Sequence, residues 1–321
     1  MLKYIVKRLL LSVFILLGVS LILFILIQNM PSSFAEQKIA AMNQNGAVVD
    51  QATQDAVMEM YDMSYGEWLK RIVTLDFGKS FTQNNMPVVD VIKRDMFVSF
   101  IVAAIATVFE FMIAIPLGIT AATHQYSFRD YLVTVLVMIG ISLPSFFFAQ
   151  VLRGVFSSGL GWLPSSGLGD ATQSSTGFAY LLEYVKYLVL PIMTVVILSI
   201  GGRMRMVRTN MLEVLNSDYI RTARAKGLKE RVVIYKHAFR NTMIPLVTSL
   251  AGLLPSLFSG AIITEQVFDL PGIGNTAYKA MIVGDVPVIM GYNMFLALLS
   301  IIGVLLADLM YAVVDPRVKL Q

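Results

Sequence analysis

Cysteine is absent from all 321 residues, which excludes a disulfide framework, a thiolate metal site and a cysteine nucleophile. Histidine occurs only twice, at His124 and His237, too far apart in sequence for a local zinc motif, so metal-assisted hydrolysis has no ligand set to build on. Charge is also scarce. Only 14% of the residues are Asp, Glu, Lys or Arg, against about 25% in an ordinary soluble domain. No Gly-x-Ser-x-Gly elbow is present either. What fills the chain instead is apolar, 56% of it, in uncharged runs long enough to cross a bilayer rather than at amphipathic spacing. The formal charge of +4 then marks loops facing anionic lipid and not a nucleic-acid footprint, since aromatic platforms and groove-reading modules are missing.

The runs predict an all-α integral membrane protein of six transmembrane helices. The first, Leu9 to Ile27, follows Lys3, Lys7 and Arg8 and exceeds the 7–15 residues of a signal-peptide core, so an uncleaved span within 1–30 is expected. Residues 31–96 form a polar loop domain, partly helical, with nine acids against six bases and turn signals at Asn45-Gly46 and Asn84-Asn85-Met86-Pro87. Five spans follow in 97–321: Phe97 to Ala122, Tyr131 to about Val155, Tyr187 to Gly202, Met243 to Ile263, and Val286 to about Val314; the fourth has only 16 uninterrupted apolar residues and must borrow Tyr180 to Lys186, where Glu183 and Lys186 can pair at the interface. Pro116, Pro144, Pro191 and Pro255 fall inside them, which lipid tolerates only when packed neighbours satisfy the freed carbonyls. Ten basic residues lie between Arg203 and Arg240, while Lys186 and Lys279 are single bases in the short loops of the opposite side. The positive-inside rule therefore puts both termini in the cytoplasm and the 31–96 loop outside. Arg203, Arg205 and Arg208 read as a stripe at the inner membrane face.

Asp76-Phe77-Gly78 and Gly78-Lys79-Ser80 imitate kinase and P-loop signatures, but the P-loop's first glycine position is Val73, and the kinase companions are missing. The informative segment is cytoplasmic loop 203–243. Asn216-Ser217-Asp218 offers capping oxygens, Tyr219 to Lys226 is a short helix, and Gly227 stands where a left-handed residue would close it. A second helix, Leu228 to Thr242, turns Val232, Val233, Tyr235, Phe239 and Met243 to one side. This elbow either presents its first helix to a cytoplasmic partner, with Ala223 and Ala225 allowing close approach, or touches lipid headgroups. The capping pattern favours the partner. Within the spans, Glu110 reads as a pathway group or as a hydrogen-bonded structural carboxyl, and Asp308 as a structural charge anchored by a loop arginine. Arg153 and Glu265 lie near span ends.

The series Asp218-Tyr219-Ile220-Arg221-Thr222-Ala223-Arg224-Ala225-Lys226-Gly227-Leu228, followed by Lys236-His237-Ala238-Phe239-Arg240-Asn241 and Ile244-Pro245, resembles the coupling loop of ABC importer permeases, in the branch handling oligopeptides, dipeptides and nickel. Similarity continues through Glu265-Gln266-Val267-Phe268, Pro271-Gly272-Ile273-Gly274, Asp308-Leu309-Met310-Tyr311 and Asp315-Pro316-Arg317, and earlier through Leu75 to Ser80 and Ile115 to Gly118. The general importer motif opens Glu-Ala-Ala, where this chain has Arg221, Thr222 and Ala223, and its later proline falls on Arg240. A carboxylate contact therefore does not carry over to position 221.

The resemblance implies a permease subunit of a prokaryotic cell membrane, without an ATPase site or cofactor of its own. Its partners would be a homologous second permease, two cytoplasmic subunits holding ATP and Mg, and an external substrate-binding protein. Tyr219 to Leu228 would couple to the ATPases. Glu110, Glu265, Pro271, Gly272 and Gly274 would belong to the pathway or outer gate, with Asp308 and Arg153 structural. Two other classes compete. A secondary transporter would carry inverted repeats, and none is visible. A membrane enzyme would cluster nucleophiles, acids or metal ligands at one depth. Within the family, a nickel importer would be expected to use the His and Cys that this chain nearly lacks.

Overall fold

The computed structural model describes residues 2–29, 51–168, 178–251 and 253–314, with 36, 37, 39, 40, 43 and 44 between them. The predicted turn at Asn45-Gly46 and the terminal Asp315-Pro316-Arg317 lie outside the described residues.

The chain is helical wherever it is long and apolar. Helix α1 covers Leu2–Gln28. Beyond it come α2 (Gln51–Asp62) and α3 (Tyr65–Val73), the latter opened by a capping box in which Ser64 and Glu67 satisfy each other's backbone N–H groups. A two-stranded hairpin pairs β1 (Lys79–Ser80) with β2 (Met86–Pro87). Asn84 and Asn85, the predicted turn, both adopt positive φ at its tip, as asparagine tolerates best after glycine. Helix α4 then runs Val88–Thr123, starting well before Phe97, the expected start of the uncharged span. Asp90, Lys93, Arg94 and Asp95 occupy its opening turns because they project into the loop domain rather than into lipid.

Two expectations about the spans need correction. Helix α5 (Phe128–Ser142) and α6 (Ser145–Arg153, continued in π register through Gly159) are one apolar segment bent by 99°. Pro144 stands at the break, where its ring and missing N–H stop the preceding helix. The fourth span takes in the borrowed residues from Tyr180, as expected, and continues well beyond Gly202: α7 runs Phe178–Leu215, 38 residues, so it projects past the apolar region at its far end. The fifth expected span is not one helix. After α8 (Asp218–Ala225) and α9 (Glu230–Val232), which passes into a π segment at Val233–Phe239, it is shared by α10 (Arg240–Ala251), α11 (Leu254–Ser259) and α12 (Ile262–Val267). Pro255 sits in the first turn of α11, and Gly260, at φ 74°, separates α11 from α12. Helices α13 (Ile273–Val283) and α14 (Val286–Val314) complete the chain. The architecture is helical and multi-pass, and among the described residues four continuous helices and one bent segment are long and apolar enough to cross a membrane.

The most extensive helix pair is α4 against α7. Gly118 makes the contact possible, since a Cβ there would lie 2.6 Å from Val207 Cβ; small residues at crossings let apolar helices approach where lipid supplies no hydrophobic drive. Large apolar side chains on α1, α5 and α6, such as Phe14, Ile22, Leu136 and Phe146, point outward, as a lipid-facing surface requires. Loop domain and elbow occupy opposite ends of α4. Val88 and Ile92 pack with Trp68 and Phe77 at its start, and Ile119 and Ala122 with Ile220 and Ala223 at its finish.

The kinase and P-loop look-alikes are part of the loop domain's framework. Phe77 is buried in its core, Asp76 accepts from the Gly78 N–H, and Ser80 donates to Asp285 at 2.6 Å. Burial pushes the Asp285 carboxyl above its ordinary value, against bonds from Ser80 and Thr82 that hold it down.

Candidate functional site: coupling elbow, polar cavity and capped turn

Ser217 takes the extended N-cap backbone at the start of α8, but its hydroxyl donates backward to the Val214 carbonyl at 2.6 Å instead of capping. Termination is closer to the expectation. Gly227 is left-handed at φ 74°; its N–H reaches Arg224 O at 2.9 Å and the Leu228 N–H reaches Ala223 O at 3.4 Å. Those two bonds are the Schellman pair. Ile220 and Ala223 are buried against Val207, Met211, Val233 and the end of α4. Ala223, expected at a partner surface, therefore faces the chain's own core, while Ala225 is exposed.

Tyr219, Arg221, Thr222, Arg224, Lys226 and Leu228 are exposed as well. Asn241 donates to the Tyr219 hydroxyl at 3.0 Å, tying α8 to α10. Arg224 pairs with Glu230 at 2.7 Å, which lowers the Glu230 carboxyl's pKa. The second helix departs from its expected face. Its π register rotates the side chains, so that Val233 and Ala238 are buried whereas Val232 and Tyr235 are exposed.

The inner-face stripe is also revised. Arg203 is not a surface marker: its Nε donates to Glu110 Oε1 at 2.9 Å, its Nη1 to Ser249 Oγ at 3.1 Å, and its guanidinium lies 4.7 Å from the Phe111 ring centre. Glu110 sits about twelve residues from either end of the apolar stretch of α4, roughly 18 Å of helix. Arg208 grips Asp130 with two bonds of 3.0 and 2.9 Å. Asp308 does have a partner, but it is Arg8 of α1, at 3.0 Å, and not a loop arginine; the pairing joins opposite ends of the chain and no local pattern announces it.

Helices α4, α7, α11 and α12 line a half-open cavity of about 540 Å³. Glu110 and Arg203 line it toward one end, Ser99 and Glu265 toward the other, with Thr107, Ser199 and Ser256 among the residues between.

At the second end, Glu265 is 1% exposed. Its Oε1 accepts from Ser99 Oγ at 2.6 Å and from the Ala261 N–H at 3.2 Å; its Oε2 accepts from the Asn275 N–H at 2.9 Å. Ser99 Oγ accepts in turn from the Ile273 N–H at 2.9 Å. Helix α13 begins at Gly272, which has no side chain to cap it, and Glu265 supplies the missing acceptor from the preceding helix. The fit excludes any β-carbon nearby: at Gly260 it would stand 2.6 Å from Oε1, at Gly274 3.0 Å from Oε2, and at Gly272 it would overlap the carboxyl itself. Pro271 precedes that turn. Arg153, from α6, closes the Val267 carbonyl at 3.0 Å, and Thr276 Oγ bonds Asp95 of α4 at 2.5 Å. Sequence reasoning found Glu265 and the glycines but missed Ser99, Asn275 and Arg203. A buried carboxylate requiring donors, and a mid-span Glu110 requiring a cation, were the signals available.

The family model for the binding-protein-dependent transport system inner membrane component matches residues 114–320. The chain is 34% identical over 325 residues to the oligopeptide transport system permease protein AppB of Bacillus subtilis (strain 168), covering 99% of this chain and 100% of that one. It is likewise 34% identical to the dipeptide transport system permease protein DppB of Alkalihalophilus pseudofirmus, over 99% and 100%. A solved structure titled as inward-facing conformations of the MetNI methionine ABC transporter overlays with a TM-score of 0.53 at 16% identity, covering 70% of this chain and 96% of that chain, a likeness of fold. With its own multi-pass helices and full-length relatives of this kind, the chain belongs to the binding-protein-dependent transport system inner membrane components.

Proposed function

We propose that this chain is the permease subunit of a peptide importer, forming with a homologous second permease a pathway for oligopeptides or dipeptides that opens alternately to the two sides. ATP and Mg belong to two cytoplasmic ATPase subunits docked on α8, and an external binding protein delivers the substrate. Both termini and the elbow lie in the cytoplasm, and the 31–96 loop domain outside, following the distribution of basic residues.

The observation that carries this reading is the mounting of α8. Its Tyr219, Arg221, Thr222 and Lys226 are exposed, while Ile220 and Ala223 are locked into the ends of α4 and α7. A displacement applied to the exposed face is passed to the two most extensively packed spanning helices, because a close-packed interior moves as a body. Helix α4 carries both Glu110 and Ser99, so the same movement reaches the cavity and the capped turn at Glu265. Pro271, Gly272 and Gly274 form the outer gate region in this reading, with Glu265 holding it closed and Arg153 fixing the turn beside it, while Asp308 ties α14 to α1 at the opposite face.

The test is a mild-detergent pull-down of the tagged chain, intact and with residues 219–227 scrambled, read by mass spectrometry and ATPase activity. Co-purification of ATPase subunits and a second permease with the intact chain, lost on scrambling, is the expected result. An intact chain that comes down alone and without ATPase activity, under conditions that preserve other membrane complexes, overturns the reading.

A further inference from the structure

Resting on the peptide reading above, we propose that the Glu110–Arg203 pair is a subsite for the amino-terminal residue of a peptide: Glu110 receives the α-ammonium and Arg203 the adjacent main-chain carbonyl oxygen.

The pair sits where charge is hardest to keep. Glu110 and Arg203 have side-chain exposures of 10% and 14%, Glu110 near the middle of the apolar stretch of α4 and Arg203 directly after the apolar run of α7, and a charge so placed within a span is one that membrane proteins reserve for paired or functional groups. A purely structural pair would be sealed between helices. This one lines the cavity of about 540 Å³, within the roughly 300–1,000 Å³ of small-molecule sites.

The pair is also incompletely bonded. Arg203 uses Nε on Glu110 and Nη1 on Ser249, and Glu110 accepts through Oε1. Among the described residues, Arg203 Nη2 and Glu110 Oε2 have no hydrogen-bond partner. A donor and an acceptor of opposite charge thus remain, on two groups already held side by side.

A peptide's first residue presents the complementary set, an ammonium donor and a carbonyl acceptor separated by one α-carbon. Binding it adds two charge-assisted bonds without breaking the Arg203–Glu110 bond; the pair is neutral by itself, so the ammonium adds one positive charge, which the peptide's own terminal carboxylate offsets within the zwitterion. The recognition is indifferent to side chain and to peptide length. The lining hydroxyls of Thr107, Ser199 and Ser256 can serve main-chain groups further along, and the cavity's volume limits how much of the peptide enters.

The test uses the complete permease–ATPase complex in nanodiscs without binding protein, probed with radiolabelled trialanine. On the unmodified complex, N-acetyl-trialanine is expected to compete at least about tenfold more weakly than trialanine, as loss of one charge-assisted bond implies. Glu110→Gln, which keeps an acceptor for Arg203, is expected to weaken trialanine binding by a similar factor and to abolish the distinction between the two peptides. Equal competition by the acetylated peptide, unchanged binding in E110Q, or no measurable binding to the unmodified complex overturns the subsite. Uptake by the unmodified complex supplied with binding protein is measured in parallel. Peptide uptake with a failed cavity test refutes the subsite alone, whereas absence of peptide uptake refutes the function on which it rests.

Discussion

Gly227→Val isolates the mechanical role of the elbow. Gly227 is held at φ 74°, where an L-residue costs about 1–2 kcal/mol and a β-branched one is a genuine outlier. A Cβ at this position meets nothing within 4 Å in the chain itself, so within the chain the penalty is conformational and packing is not directly disturbed. It competes with the two closing bonds from Gly227 and Leu228 to the Arg224 and Ala223 carbonyls, each worth about 1 kcal/mol. The two sides are comparable, so the last turn of α8 opens rather than bearing the strain. A shift of about 1.4 kcal/mol is tenfold in population, and the Gly227 and Leu228 amides should exchange hydrogen roughly tenfold faster while the spanning helices stay protected. In proteoliposomes holding the complete complex, peptide imported per ATP hydrolysed should fall. Gly227→Asn should retain most of the coupling, since asparagine tolerates the left-handed region. Normal exchange and normal coupling in the valine variant, or an asparagine variant as damaged as the valine one, would refute the reasoning.

Gly272→Ala should drive the Glu265 carboxyl out of its pocket, orphaning the Ala261 and Asn275 N–H groups at about 1–3 kcal/mol each; thermal unfolding of the purified subunit should show the loss, and the double variant with Glu265→Ala should be less destabilised than the sum of the two singles. Removing one side of the enclosed pair by Arg203→Ala should cost about 3–5 kcal/mol. By contrast, Asp308→Asn, whose pair with Arg8 is 22% and 38% exposed, should cost no more than about 1 kcal/mol; equal losses in the same unfolding assay would contradict the burial argument. Glu230 has its pKa lowered by Arg224, so the pair's support of α8 is fully present above the ordinary glutamate value and fades as pH falls through the depressed one. Amide exchange in residues 218–225, corrected for its intrinsic pH dependence, should rise below about pH 4, and Arg224→Gln should erase that pH dependence.

The apolar runs, the charge distribution between loops and the Gly227 stop were legible because each is local. A span needs only consecutive apolar residues, and a left-handed helix stop needs only a glycine after the last turn. Straight helices were over-counted for a reason that is also physical. Pro144, Pro255 and Gly260 break the backbone, whereas Pro116 and Pro191 stay inside α4 and α7. Neighbouring packing decides between those outcomes, and composition does not report it. The exposed Val232 and Tyr235 follow from the π register, which helical periodicity cannot anticipate.

By itself, then, the sequence determined that this is a multi-pass helical membrane protein with a basic elbow closed by a left-handed glycine, since hydrophobicity and backbone chirality act over a few residues. Only the tertiary structure decided which charges meet. Glu110 with Arg203, Asp308 with Arg8, Ser80 with Asp285, and Glu265 with Ser99 and the Asn275 amide join residues from separate helices or loops. A carboxylate removed from water must find a donor wherever the packed helices bring one within reach, and that partner is a property of the packing and not of the neighbouring sequence.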